Sequence, residues 1–168
     1  NTMTFVAGSS WQPDEDLFIE YFNQHPEVKL IIAPHVIDEN HLVEIIRKLK
    51  RPYVRYTRAD EKNVRKADCL IIDCFGLLSS IYRYGAYIGG GFGVGIHNTL
   101  EAAVYGIPVI FGPKYQKFQE AVQLLEAKGG FSVKSYEELK ALLDRMLEDE
   151  SFLRETGTNA GQRTKFWV

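Results

Sequence analysis

The chain has 168 residues, with 20 basic and 22 acidic side chains and a formal charge of −2. With 45% hydrophobic and 25% charged residues, it has the composition of one ordinary folded domain, a size that buries roughly 68–70% of the unfolded surface. A near-neutral charge excludes a duplex-binding surface, which needs a dense basic field to displace counterions. No apolar run approaches the ~18–20 residues that a bilayer span needs, and two cysteines are too few for a disulfide scaffold.

Short β-rich apolar runs recur at 4–7, 29–33, 53–56, 69–73, 86–89, 109–111 and 131–133. They are continuous rather than alternating, as expected of strands covered on both faces. Helical patterns lie between them. Segment 14–23 carries Leu17, Phe18, Tyr21 and Phe22 at helical spacing, with Pro13 suited to its first turn. Segment 41–49 repeats Leu42, Ile45, Ile46 and Leu49, and ends in the basic run Arg47 to Arg51, favoured there by the helix dipole. Shorter helices are expected at 77–84 and 98–105. A helix over 118–128 meets a C-cap at Gly129–Gly130, and Ser135 with Glu138 forms a capping box for a helix over 136–147. The stretch 150–168 reads as a polar helical tail, partly loose. Strand–helix alternation predicts an α/β fold: a three-layer, doubly wound, mostly parallel sheet in a single domain over 1–168. Ligands of such sheets bind outside the carboxyl ends of the strands, so the strand-to-helix turns are where chemistry is expected.

Between 85 and 95 there are six glycines in eleven positions, at 85, 89, 90, 91, 93 and 95. They follow an expected strand and precede the helix opening at Asn98. Glycine lets backbone amides approach an anion, and the helix start adds its dipole, so the turn suits a phosphate. It is not a P-loop, since no Gly-Lys-Ser/Thr follows, and Ile96 breaks the dinucleotide fingerprint. A glycine-rich bend with no ligand is the alternative. Asn98-Thr99-Leu100-Glu101 reads either as a capping box or as a helix start that holds a phosphate while Glu101 accepts from both hydroxyls of a ribose.

The stretch from Gly89-Gly90-Gly91 through His97-Asn98-Thr99-Leu100-Glu101-Ala102 to Gly106-Ile107-Pro108-Val109 resembles the donor half of GT-B glycosyltransferases. More narrowly it is similar to the C-terminal domain of 3-deoxy-D-manno-octulosonic acid (Kdo) transferases. That family's Gly-Gly-His-Asn-x-Leu-Glu-Pro stretch corresponds to Gly95–Ala102 here, and its Gly-Pro-His…Asn-Phe turn to Gly112-Pro113-Lys114…Lys117-Phe118. Phe5-Val6-Ala7-Gly8-Ser9-Ser10 is similar to the family's Ala-Gly-Ser-Thr turn, and Ala33-Pro34-His35 stands at its Pro-Arg-His. Asp73-Cys74-Phe75-Gly76-Leu77 stands at its Asp-Thr-Met-Gly-Glu. The five segments run in family order from residue 5 to about 118; an arginine is missing after Pro34, and Leu77, Ile96 and Lys117 replace a glutamate, a glycine and an asparagine.

The resemblance implies inverting, metal-independent transfer of Kdo from CMP-Kdo to the lipid A precursor lipid IVA, at the cytoplasmic face of the bacterial inner membrane. No cofactor is implied, and the donor is a substrate. This chain would be the donor half of a two-domain enzyme and inactive alone. An N-terminal acceptor domain would supply the membrane contact and a carboxylate general base, and the opening on a strand at Thr4 is expected to mark an excised domain. The donor-binding residues implied are Ser9, Ser10, Pro34, His35, Phe75, Gly76, Leu77, Gly95, His97, Asn98, Thr99, Leu100 and Glu101. Of these, Glu101 would hold the ribose, Pro34-His35 and Phe75-Gly76-Leu77 would flank the cytosine, and Ser9 and Ser10 would face the sugar or phosphate. Rival readings are a UDP-sugar transferase or epimerase domain of the same architecture, and a non-catalytic nucleotide-binding module.

Outside these segments the residues read as structural. His25 and His41 are expected to be solvated, and the four histidines have no metal-ligand spacing. Cys69 and Cys74 are expected as buried thiols, and Tyr82, Tyr84 and Tyr87 as packing residues. Lys114 reads as a contact to an anion or as a solvated loop lysine.

Overall fold

The computed structural model describes residues 3–75, 86–89, 91–92 and 106–164. Seven parallel strands form one sheet: β1 (Met3–Ser10), β2 (Val28–Pro34), β3 (Tyr53–Arg55), β4 (Cys69–Ile71), β5 (Ala86–Ile88), β6 (Val109–Phe111) and β7 (Gly130–Ser132). Six helices are described: α1 (Gln12–Gln24), α2 (Glu39–Lys48), α3 (Glu61–Lys66), α4 (Gln119–Glu126), α5 (Tyr136–Glu148) and α6 (Glu150–Thr164). The strand order is β3-β4-β2-β1-β5-β6-β7. The chain places β2 beside β1, β3 at the edge and β4 between β2 and β3, then returns to set β5 against the other side of β1. The point where winding reverses therefore lies between β1 and β5.

Alternation along each strand divides the core into two layers. Phe5, Ala7, Leu30, Ile32 and Ile110 meet Phe18, Ile19, Phe22, Leu42, Leu139 and Leu143 of α1, α2 and α5 on one face. Val6, Ile88, Val109 and Phe111 meet Ala121, Leu124 and Ala160 of α4 and α6 on the other. Each large apolar side chain fully withdrawn from water contributes roughly 1.5–3 kcal/mol, so covering both faces accounts for the unbroken apolar runs.

Helix ends follow local chemistry, with some shifts. Ser135 Oγ accepts from the Glu138 N–H at 3.2 Å as expected, but the Glu138 carboxylate turns to the Lys134 N–H at 3.3 Å. The helix expected over 118–128 stops at Glu126, and its left-handed residue is Lys128 (φ 60) rather than a glycine. Lys128 N–H donates to Leu125 O and Gly129 N–H to Leu124 O, the Schellman arrangement. Gly129 is small for another reason: a Cβ there would lie 2.3 Å from the Ala160 nitrogen of α6. The segment read as a loose tail is helical over Glu150–Thr164, and Thr156, Gly157 and Ala160 are buried. Helix α3 was not expected; Asp60 and Asn63 cap it reciprocally at 2.8 and 2.7 Å. The expected helices at 77–84 and 98–105, with Tyr82 and Tyr84, lie outside the described residues.

Candidate functional site

The carboxyl ends of β1 and β5 form the crevice where the winding reverses, the place where open α/β sheets bind ligands. Its local geometry is unusual. Ser9 has φ 54 and sits at a break in the β1–β2 register between Gly8 and Ser10. Such a bulge re-aims the end of a strand, and here it carries the Ser9 carbonyl against Gly89. A Cβ on Gly89 would lie 2.2 Å from Ser9 O. The next turn is equally close, since a Cβ on Gly91 would lie 2.6 Å from the Gly112 backbone, and Lys114 N–H donates to Gly91 O at 2.7 Å. The two described glycines of the 89–91 turn are thus required by backbone packing between neighbouring strand ends. Lys114 itself is exposed.

Beneath the β1 turn lie two carboxylates with no exposure, Asp14 and Glu15. Asp14 accepts from the Trp11 N–H at 2.9 Å and from the Tyr87 hydroxyl at 2.6 Å. Burial, then the Asp14 charge and hydrogen bond, push the Tyr87 phenol well above its ordinary range. Tyr87, read as a packing residue, is one, with a polar anchor. Glu15 accepts from Ser10 Oγ at 2.8 Å and faces His41 Nε2 at 2.7 Å. Ser10 was expected to face the donor; its side chain is instead buried and spent on Glu15. Two carboxylates at the start of α1 offset its dipole, which makes this helix end less attractive to an anion.

The other expected residues sit around the same rim. Pro34 is buried and His35 exposed. The His35 ring stacks on Trp11 at 4.7 Å and 24°, and His35 N–H donates to Ser10 O at 3.0 Å. The Trp11 indole nitrogen is buried with no hydrogen-bond partner. Phe75, at the end of the β4 turn, is 82% exposed, an aromatic surface open at the rim. Behind it, Asp73 accepts from Arg55 Nε at 2.9 Å, from the Thr57 N–H at 2.9 Å and from the Thr57 hydroxyl at 2.6 Å. Burial raises the Asp73 pKa, but the Thr57 bonds and Arg55 together hold it below the usual carboxylate range. Arg55 also grips Glu39 at 2.8 and 3.2 Å, tying the β4 turn to the start of α2. Gly76, Leu77, Gly95, His97, Asn98, Thr99, Leu100 and Glu101 lie outside the described residues.

Several residues read as bland have definite partners. His41 is not simply solvated: besides Glu15, its Nδ1 meets Val36 O at 2.8 Å. His25 stacks on Tyr21 at 3.7 Å and lies 3.4 Å from Asp144. Arg51 donates to the carbonyls of Phe22, His25 and Val28 at 2.7–2.9 Å, closing the end of α1. Cys69 is buried and Cys74 half-buried. Among the described residues no group of three or more acidic, histidine or cysteine side chains forms a metal site, and no helix is long and apolar enough to cross a membrane.

No protein-family model matches the chain. A curated relative does: the 3-deoxy-D-manno-octulosonic acid transferase of Aquifex aeolicus (strain VF5) is 33% identical over 150 residues, 84% of this chain and 41% of the relative. By sequence the chain is similar to one part of the Kdo transferases. The Chlamydia muridarum transferase of the same name is 29% identical over 92% of this chain and 40% of its own length. The chain thus spans about two fifths of these Kdo transferases. Among solved structures, the C-terminal CMP-Kdo binding domain of WaaA from Acinetobacter baumannii superposes with a TM-score of 0.83 at 20% identity, over 96% of this chain and 89% of that one. Anabaena HepE in complex with UDP-glucose gives 0.73 at 13% identity, over 99% of this chain and 44% of that one. These neighbours establish the GT-B type of Rossmann-like fold.

Proposed function

We propose that this chain is the donor-binding domain of a Kdo transferase, holding CMP-Kdo at the crevice between β1 and β5. The observation that carries the reading is the reversal of winding at β1 and β5, because the segment leaving β5 and running to Glu101 starts at that crevice. In this reading the phosphate rests on backbone amides of Gly95 and His97–Leu100, where a helix start would add its dipole. Glu101 accepts from the ribose hydroxyls. Phe75, Gly76, Leu77, Pro34 and His35 flank the cytosine, and Ser9 lies at the turn that faces the sugar or phosphate.

Transfer joins the acceptor hydroxyl oxygen to the anomeric carbon of Kdo with inversion, while the bond from that carbon to the phosphate oxygen breaks and CMP departs. The proton passes to a base, and charge grows on the phosphate, where preorganised amides stabilise it without a metal ion. The base, a carboxylate, belongs to an acceptor domain beyond this chain, which also meets the membrane. The acceptor is the lipid A precursor lipid IVA at the cytoplasmic face of the inner membrane. The isolated chain then binds the nucleotide and transfers nothing.

Titration calorimetry with CMP and UMP tests the reading. CMP is expected to bind at least about tenfold more tightly than UMP, and Glu101→Ala to weaken CMP by about tenfold or more, the worth of a charged hydrogen bond. Preference for UMP, or a folded Glu101→Ala variant with unchanged affinity, refutes it.

A further inference from the structure

The rim is built at the ends of two different strands: Ser9–Trp11 where β1 finishes, and Pro34–Val36 where β2 finishes. Besides the His35 N–H to Ser10 O bond, a chain of side-chain hydrogen bonds, buried at Glu15 and part-buried at His41, joins them. Ser10 Oγ donates to Glu15 at 2.8 Å, the Glu15 oxygens face His41 Nε2 at 2.7 and 3.0 Å, and His41 Nδ1–H donates to Val36 O at 2.8 Å. Glu15 lies on α1 and His41 on α2, 26 residues apart. Glu15 has no exposure and the His41 side chain is 16% exposed. A carboxylate at such depth persists only with its partners in place, so the chain is a rigid brace. On the outer side of the same two turns, Trp11 of the first stacks on His35 of the second.

We infer that His41, acting through Glu15, is a positioning residue: it sets the separation of the β1 and β2 turns and so the shape of the nucleotide site. The inference rests on the nucleotide-binding reading of this crevice. It assigns His41 no contact with the ligand. Removing its ring frees Val36 O and leaves the Glu15 carboxylate short of a partner, so beyond the Ser10–Pro34 pairing the two turns keep only the His35 N–H to Ser10 O bond and the Trp11–His35 stack between them, and their spacing loosens.

The test uses two variants, His41→Leu, which deletes the brace, and His41→Gln, which keeps an N–H donor for Glu15. Each is made in a Trp167→Phe background so that Trp11 is the one emitter. Trp11 emission reports the stack on His35 without any ligand, and calorimetry with CMP reports the site. Urea unfolding confirms that each variant is folded at the temperature used. His41→Leu is expected to shift Trp11 emission and to weaken CMP about tenfold, with His41→Gln recovering most of both. Unchanged emission and affinity in folded His41→Leu overturn the inference, as does a loss of stability alone. If the unsubstituted chain fails to bind CMP, the proposed function falls, and Trp11 emission alone then decides whether the brace exists.

Discussion

Gly89→Ala probes the crevice most directly, because the obstacle to a methyl group there is entirely backbone. The added Cβ would lie 2.2 Å from Ser9 O, 2.7 Å from Ser9 C and 2.6 Å from Ser10 Cα. Ordinary contact needs about 3.5 Å, so the carbonyl must retreat by more than about 1 Å. It cannot do so freely. Gly89 N–H donates to Gly8 O at 2.9 Å and Gly8 pairs with Ile88, which pins the two strand ends. Relief therefore means opening the ladder or unwinding the Ser9 bulge, at about 1–3 kcal/mol for an overpacked site. In a domain of this size each kcal/mol moves Tm by about 2–4 °C, giving a fall of about 2–12 °C by calorimetry. Gly106→Ala is the control. Gly106 has φ +72 but open space, its nearest neighbour being 3.9 Å away, so its cost is conformational alone and near 1 kcal/mol. Gly106 precedes β6, at the amino ends of the strands and away from the carboxyl-end crevice, so its variant is expected to leave CMP affinity intact while Gly89→Ala lowers it. A Gly89→Ala protein as stable as Gly106→Ala, with undiminished affinity, would refute the claim that Ser9 and Gly89 define the crevice.

Asp73→Asn keeps the shape of the β4 turn but removes the charge that Arg55 and Thr57 meet. Because the native carboxyl sits below its unfolded value, its contribution to stability is complete above about pH 4 and fades as pH falls through the native pKa. Urea midpoints are expected to separate the two proteins at pH 7 and to converge as the pH falls below the unfolded value and through the lowered native pKa; a constant gap would contradict the clamp. Tyr87→Phe deletes a 2.6 Å bond to fully buried Asp14. It is expected to cost about 1–3 kcal/mol in urea unfolding, and a neutral outcome would mean Asp14 is satisfied without it.

Strand positions were legible because burial on both faces leaves a local trace: an apolar run such as Leu30 to Ala33 needs no distant information. The sheet's parallel, doubly wound form followed from their alternation with helices. Caps were partly legible. Ser135 marked the start of α5, whereas Gly129 misplaced the end of α4, since a glycine signals small size as readily as a left-handed turn. The Asp60-x-x-Asn63 pattern of α3 is present in the sequence, but a helix this short and polar has no apolar periodicity to mark it.

The rim was harder to read. Ser10 was picked for its place at a strand end, but its partner Glu15 depends on how α1 docks, and His41 reaches Glu15 only after β2 and α2 have folded back. No local periodicity encodes a contact 26 residues long. Arg51 looked like part of a basic helix end, yet its guanidinium closes the carbonyl end of a different helix. The segment from Gly95 to Glu101 lies outside the described residues, whereas the position of the crevice follows from the strand order alone.

Helix α6 touches the loops before β6 and β7 at two points three residues apart. A Cβ at Gly157 would come within 2.3 Å of Gly106 O, and the Ala160 nitrogen stands 2.3 Å from where Gly129 would carry one. Sliding the helix by a single residue advances it about 1.5 Å and turns it about 100°, bringing Thr156 or Thr158 into the notch that only a hydrogen fits. Sliding it by three offers Ala160 or Arg154, which fare no better. The terminal helix is therefore indexed to one axial setting, and mutations along its outer side can change how firmly it holds without changing where it stops.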